Sequence, residues 1–313
     1  MSKDYINQLE SSIRKYNYIK RFRRKEKEKF RVFLAEELNG SGYKVREDVS
    51  KKRLFKNVNV LTDNIEDAEY IFTAHYDTPG TGGIIFRANY FLQKFIGTNL
   101  ASILILLLLC SLILVVDKAA YIVKVIFLVF LLLELIMLFF IPNKTNMIDN
   151  TSGVVGALAL AKRFNGNDKV AFIFFDNEEK GLLGSKALSK KMYKDYPDFK
   201  NRLVINLDCI SSSFEESLWN INSKINTDKY NNLLEAISQK LVKDRTLLNK
   251  VTIRSDQLSF KKNSTIAIGK YKKAKLNGFL GLGYYIPNIH SSRDTTMNTE
   301  DISKVVEVLY QAL

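Results

Sequence analysis

Only two histidines occur among the 313 residues, His75 and His290, and each stands near a carboxylate. His75 opens His75-Tyr76-Asp77, directly after the apolar run Tyr70–Ala74. His290 lies in the polar stretch His290-Ser291-Ser292-Arg293-Asp294-Thr295. Glu178 and Glu179 follow the run Val170–Phe175, Asp208 follows Leu203–Leu207, and Asp149 opens Asp149-Asn150-Thr151-Ser152-Gly153. Taken singly, each has a plain explanation: a solvated strand end, a helix cap, a packed imidazole. Together they supply imidazoles and carboxylates in the numbers a two-metal site needs, with ions about 3.5–4 Å apart. A bridging ligand must offer two oxygens, which a carboxylate has and an imidazole lacks. Asp77 and Asp294 are placed as carboxylates that orient metal-binding imidazoles would be.

The elements that must position these groups read as α/β. Val170–Phe175 and Leu203–Leu207 are short apolar runs of the kind buried in parallel sheets, and open α/β sheets place ligands beyond the carboxyl ends of such strands. Further strands are expected at Tyr43–Arg46, Leu54–Leu61, Tyr70–Ala74, Thr265–Gly269 and Gly281–Tyr285, with a turn at Asp63-Asn64. Helices are expected over Gly153–Phe164, from Ser185 to Tyr193, over 228–243, and over Thr299–Leu313 with Thr299 as N-cap. Residues 4–38 read as one helix, stopped by Asn39-Gly40-Ser41-Gly42, with the basic cluster Lys20–Lys25 as a solvated face. Gly80-Thr81-Gly82-Gly83 lacks the lysine and spacing of a phosphate loop and reads as a mobile loop.

Two apolar runs interrupt this pattern. Asn99–Val116 carries no charge and Ala119–Ile141 carries only Lys124 and Glu134. Each is long enough, at about 1.5 Å per residue, to cross a hydrocarbon core of about 30 Å. They read as a transmembrane hairpin, inserted as residues 91–142 into a single soluble domain of 1–90 and 143–313, of which 1–42 form the basic helix. Lys124 is expected to snorkel, and Glu134 at such depth is a functional suspect that needs a partner. The net charge of +14 would suit nucleic acid or anionic lipid; no nucleic-acid motif accompanies it. Two cysteines, Cys110 and Cys209, exclude a disulfide framework and fit a reducing compartment; Cys209 reads as a sheet residue. Met1–Arg31 holds no apolar signal region, which with its charge points to a cytoplasmic catalytic domain on a two-span cell-membrane protein.

The order His-x-Asp, Asp-Asn-x-Ser-Gly, Glu-Glu-x-Gly-Leu-x-Gly-Ser, strand-Asp and His-x-x-x-Asp-Thr resembles the co-catalytic di-zinc aminopeptidase family, over residues 55–90 and 145–310. Aminopeptidase Y, bacterial leucyl aminopeptidases, glutamate carboxypeptidase and the glutaminyl cyclases share its fold. The resemblance implies a three-layer α/β/α sandwich with a mixed, mostly parallel central sheet. It implies two zinc ions, bridged by Asp149, with His75 and Asp208 completing one site and Glu179 and His290 the other. Glu178 would be the general base, and Asp77 would support the catalytic centre beside His75. An oxygen-rich site of this kind also accepts cobalt or manganese. Asp256, in Arg254-Ser255-Asp256-Gln257, resembles a Ser-Asp-His element near the substrate pocket, with Gln257 in place of the histidine. The inserted hairpin is the larger departure, and it implies an active site facing the bilayer and peptides met there. The implied activity is an aminopeptidase; a carboxypeptidase or other amidohydrolase of the same fold is the alternative, and an inactive membrane-tethered scaffold is the alternative of another class.

Overall fold

The computed structural model describes residues 2–52, 55–118, 120–241, 248–276 and 283–313. Leu54, the end of the 228–243 helix and Gly281 lie outside them. Helices α1 (Ser2–Lys15) and α2 (Arg24–Asn39) precede the hairpin strands β1 (Val45–Lys52) and β2 (Phe55–Thr62), then β3 (Tyr70–His75). Next come α3 (Ile84–Ile96), α4 (Thr98–Asp117) and α5 (Tyr121–Phe140). The second half runs α6 (Gly153–Phe164), β4 (Val170–Phe175), α7 (Leu183–Asp195), β5 (Leu203–Leu207), β6 (Leu218–Lys224), α8 (Asn231–Leu241), β7 (Ser264–Lys273), β8 (Tyr284–Tyr285) and α9 (Thr299–Ala312).

The strands form one mixed sheet in the order β1-β2-β4-β3-β5-β7-β6, with β8 paired to β7. Its four central strands, β4, β3, β5 and β7, are parallel, and both flanks are antiparallel. All residues of β4 and β5 are buried, as the uninterrupted apolar runs require. One face packs on α1, α2, α6, α8 and α9 through residues such as Ile13, Phe30, Leu158, Ile237 and Val305; the other packs on α7 and the turns around Phe199 and Phe260. The result is a three-layer sandwich. Register aligns the strand ends: His75 pairs with Phe175, and Thr73 with Asn206. His75, the residues after Phe175 and Asp208 therefore emerge along one edge of the sheet.

The N-terminal segment is two helices rather than one. The chain breaks after Lys15 with Asn17 in the left-handed region (φ 56°), and α2 restarts where Glu26 accepts hydrogen bonds from the N–H groups of Phe22 (3.1 Å) and Arg23 (2.8 Å). The break lets Arg21 turn inward, where it is fully buried. At the other end Asn298, not Thr299, is the N-cap of α9: its side chain accepts from Glu300 N–H at 2.9 Å. Helix α3 and strand β6 have no counterpart in the sequence reading, and α3 spans the position 90/91 taken there as a boundary.

Helices α4 and α5 are long and apolar enough to cross a membrane, with mean hydropathy 2.9 over each candidate span and 6% of each span buried. Lys124 lies 3.5 Å from Asp117 at the hairpin turn. The exit of this hairpin, residues 141–145, rests on both loops that bear the candidate histidines. Gly80 bridges to Pro142, Thr81 N–H donates to Ile141 O (2.6 Å) and Asn143 N–H to Pro79 O (3.1 Å). Asn143 and Thr145 side chains donate to Ser291 O, next to His290. The glycine loop is thus docked rather than free; a Cβ on Gly80 would collide with the Leu138 carbonyl.

Candidate metal centre

Asp149 stands between the two histidines. His75 Nε2 is 3.3 Å from its Oδ1, and His290 Nε2 is 2.8 Å from its Oδ2. Each carboxylate oxygen therefore faces a different imidazole, which is the arrangement a bridging ligand needs. Asp208 Oδ1 lies 3.9 Å from His75 Nε2, and Glu179 Oε1 lies 3.5 Å from His290 Nε2. Candidate ligand atoms of His75, Asp149 and Glu179 fall within 4.8 Å of one another, as do those of Asp149, Asp208 and Cys209. Glu179 Oε1 is buried with no hydrogen-bond partner. A buried carboxylate oxygen left without a donor is costly, and a divalent cation is the partner this donor set fits.

Local structure fixes these groups. Asn150, joined to Asp149 by a cis peptide, donates to Leu207 O (2.9 Å) and accepts from the N–H groups of Gly153 (3.0 Å) and Cys209 (3.1 Å). The bridging loop is thereby clamped to the end of β5. Cys209 itself lies beyond that strand, with its thiol beside Asp149 and Asp208, so it is not the sheet residue expected from sequence.

The two flanking aspartates also brace backbone, and Asp77 keeps its place beside the His75 imidazole. Asp77 Oδ1 is 3.7 Å from His75 Nδ1, but its oxygens accept from the N–H groups of Glu178 and Glu179. Asp294 accepts from Ile148 N–H (2.7 Å) and Asp149 N–H (3.2 Å). Each aspartate near one histidine braces the backbone of a carboxylate that faces the other or both.

Sequence reasoning missed two cations under this acidic cluster. Arg21 donates to Tyr76 O (2.5 Å), Tyr18 O (2.6 Å) and Thr151 Oγ1 (3.0 Å), tying the His75 and Asp149 loops together. Its burial lowers the guanidinium to about 10, against the pull of Asp77, Asp149 and Asp294. Lys27 donates to Asp176 (2.6 Å) and Asn177 (2.7 Å), just ahead of the glutamate pair. No local pattern marks either residue, because their acceptors come from distant parts of the chain.

Without metal, the charges of the site interlock. Burial would lower His290, but Glu179 and Asp149 outweigh it and push the imidazole up to about 9. Burial pushes Glu179 up to about 8 despite His290. Burial would raise Asp149, but the two histidines hold it well below the usual carboxylate range. Burial raises Glu178 well above its ordinary value, although His75 pulls it down. An acid poised high in this way suits proton transfer. Asp256 is buried, pushed up by desolvation to about 7, and both its oxygens are unpartnered; Gln257 donates to Ile253 O and accepts from Asn206 instead of facing the cluster.

A cavity of about 990 Å³ opens over His75, Asp149, Glu178, Glu179, Asp208 and His290. Its walls include Leu182, Ile253 and Tyr271 from the sandwich, and Tyr90, Gln93, Leu100 and Ile103 from α3 and α4. The Tyr90 ring meets the His290 imidazole edge to face at 5.7 Å.

Solved structures share this architecture. A glutaminyl cyclase of Bacteroides thetaiotaomicron bound to N-acetylhistamine superposes with TM-score 0.62 at 16% identity, covering 99% of this chain and 95% of that one. A leucine aminopeptidase precursor of the same organism gives 0.59 at 15%, covering 99% and 94%. The LapA aminopeptidase of Legionella pneumophila gives 0.58 at 14%, covering 99% and 69%. At these identities the likeness is one of fold. A comparison with curated protein sequences gives no match. Residues 140–311, more than half of the chain and including five of the seven candidate residues, match peptidase family M28. The chain belongs to that family.

Proposed function

We propose that this protein is a membrane-anchored di-zinc exopeptidase that removes N-terminal residues from peptides. The observation that carries the reading is the placement of Asp149, one oxygen toward each of the two histidines. His75, Asp208 and Asp149 would hold one ion, and Glu179, His290 and Asp149 the other. When bound, such ions supply Lewis acidity, polarising a carbonyl and lowering the pKa of water toward neutrality.

The chain's own residues do the rest. Glu178, half-buried near His75 with its proton affinity raised, takes a proton from the attacking water on a carboxylate oxygen and delivers it to the leaving amine. Asp77 fixes the backbone that carries Glu178, and Arg21 supplies a buried positive charge under a cluster of carboxylates. The cavity walls exclude bulk water and orient the peptide. Helices α4 and α5 seat the protein in a bilayer with the catalytic domain on the cytoplasmic side, the side favoured by the basic N-terminal segment. Because Leu100 and Ile103 of α4 also line the cavity, peptides presented at the membrane surface are the substrates this geometry favours.

The test is metal analysis of the purified full chain, with hydrolysis of aminoacyl, carboxy-terminal and N-terminal glutaminyl reporters, for wild type and Glu178→Gln. Bound zinc with aminoacyl cleavage is expected, and the variant should keep its metal while losing about 10²–10⁴-fold in rate. Wild-type protein that binds no metal and cleaves no peptide would overturn the enzyme reading. Cleavage or cyclisation of the other reporters alone would move the activity within the fold.

A further inference from the structure

Glu134 is buried although it sits in the apolar helix α5, and both its oxygens are partnered. Its two carboxylate oxygens accept from the first backbone N–H groups of α3: Ile84 at 2.6 Å and Ile85 at 3.2 Å. Those N–H groups have no acceptor within their own helix, and the positive end of the helix dipole favours an anion there. Gly83 makes the approach feasible, since a Cβ at that position would run into the carboxylate. The far end of α3 is tied to the sandwich: Lys275 N–H donates to Lys94 O (2.9 Å), Leu276 N–H to Phe95 O (2.8 Å), and Thr98 Oγ1 to Tyr284 O (3.1 Å). Between these two attachments, Tyr90 and Gln93 line the cavity, and Tyr90 packs on His290. The opposite side of α3 exposes Ile84 and Phe91, which suits a helix lying in a membrane interface.

We infer that Glu134 is a positioning residue: from within the apolar hairpin it seats α3, and α3 places Tyr90 and Gln93 as the substrate-facing wall of the site. The hairpin would then set substrate fit as well as location. Glu134 touches neither substrate nor candidate ligand, so its loss should spare metal and the proton-transfer machinery while loosening one wall. The kinetic part of this inference rests on the peptidase reading above; the structural part does not.

The experiment uses the full chain in lipid nanodiscs, in a Cys110→Ser background. Nitroxide labels at Arg87→Cys on α3 and Lys190→Cys on α7 report the distance between wall and sandwich. A narrow distribution is expected with Glu134, a broad one with Glu134→Ala or Gly83→Val, and partial recovery with Glu134→Gln, which keeps one acceptor oxygen. An unchanged distribution in Glu134→Ala would overturn the inference. In parallel, peptide KM should rise about tenfold in Glu134→Ala, the scale of a lost charge-assisted hydrogen bond, with kcat and zinc content held. Equal loss of kcat and zinc would mean that Glu134 merely holds the fold, and would overturn it too. Wild-type protein without peptidase activity would sink the functional reading alone, and the label distances would still decide the role of Glu134.

Discussion

Asp77 holds Glu178 by its backbone: one carboxylate oxygen accepts the Glu178 N–H at 3.0 Å while the other takes the Glu179 N–H at 3.3 Å. A residue two places from one candidate ligand thus sets the height of the proposed base and of a second candidate ligand. Asp77→Ala frees both amides and should lower zinc affinity about 10–100-fold, the usual cost of removing a partner behind a ligand. Asp77→Asn, which can still accept one N–H, should fall between. Calorimetric titration of zinc into metal-free protein measures both, and unchanged affinity in the alanine variant would refute the role.

Metal binding should release protons. In the metal-free protein His290 is held up to about 9 by Glu179 and Asp149 against its burial, and Glu179 up to about 8 by burial. Both carry protons at neutral pH that ligation must displace, so apparent zinc affinity should climb with pH to about 9 and then level off. Stability of the metal-free protein should move the opposite way. Each folded value lies above the ordinary one, so the contribution is full at low pH and is lost as pH rises through the folded values. Titrations in buffers of differing ionisation enthalpy, and melts across the same window, test the two signs; an affinity that falls with pH would contradict them.

Lys27 neutralises Asp176 at a point where both are buried, with side-chain exposures of 7% and 3%. Lys27→Met leaves the carboxylate without its cation, a defect that costs about 3–5 kcal/mol. Chemical denaturation should show that loss, and Lys27→Met combined with Asp176→Asn should recover part of it. A single variant as stable as wild type would show that the pair contributes nothing.

The proposed membrane seating makes its own demand on α4 and α5. Leu108 and Leu128 point outward, 59% and 67% exposed. An arginine at a lipid-facing centre costs about 2.5–3.5 kcal/mol on insertion scales. Leu108→Arg and Leu128→Arg should shift the chain from the carbonate-resistant membrane fraction to the soluble one. Full retention of the double variant in the membrane would count against a spanning hairpin.

Much of this architecture is legible in the residues because local chemistry determines it. Val170–Phe175 and Leu203–Leu207 have no polar residue except Asn206, so they could only be central strands; the groups just beyond them then had to share an edge. Strand register brings His75, Glu179 and Asp208 to one edge, and Asp149 and His290 reach them from loops. What was hidden depends on distant partners. Arg21 looks like one more solvated cation in a basic cluster until Tyr76 and Thr151 arrive from later in the chain, and that pull breaks the expected long helix. Helix α3 was masked by the apolar run that follows it, although Phe86, Tyr90, Gln93 and Gly97 follow a helical period. Strand β6 gave a weaker signal, the alternation of Trp219 and Ile221 inward. Asp294 stands near His290 in the sequence but braces the backbone of Asp149, a distinction that sequence proximity cannot draw.

The seating of residues 141–145 on the His75 and His290 loops bears on the order in which the chain is made. A ribosome makes His75 and Asp77 first, then two apolar helices, and only afterwards Asp149, the glutamate pair, Asp208 and His290. The halves of the centre are joined by pairing of β3 with β4 and β5, and the intervening segment adds its own tie where Asn143 meets Pro79 and Ser291. On the membrane reading proposed above, the second half of the centre would be made only after the segment destined for the bilayer has left the ribosome.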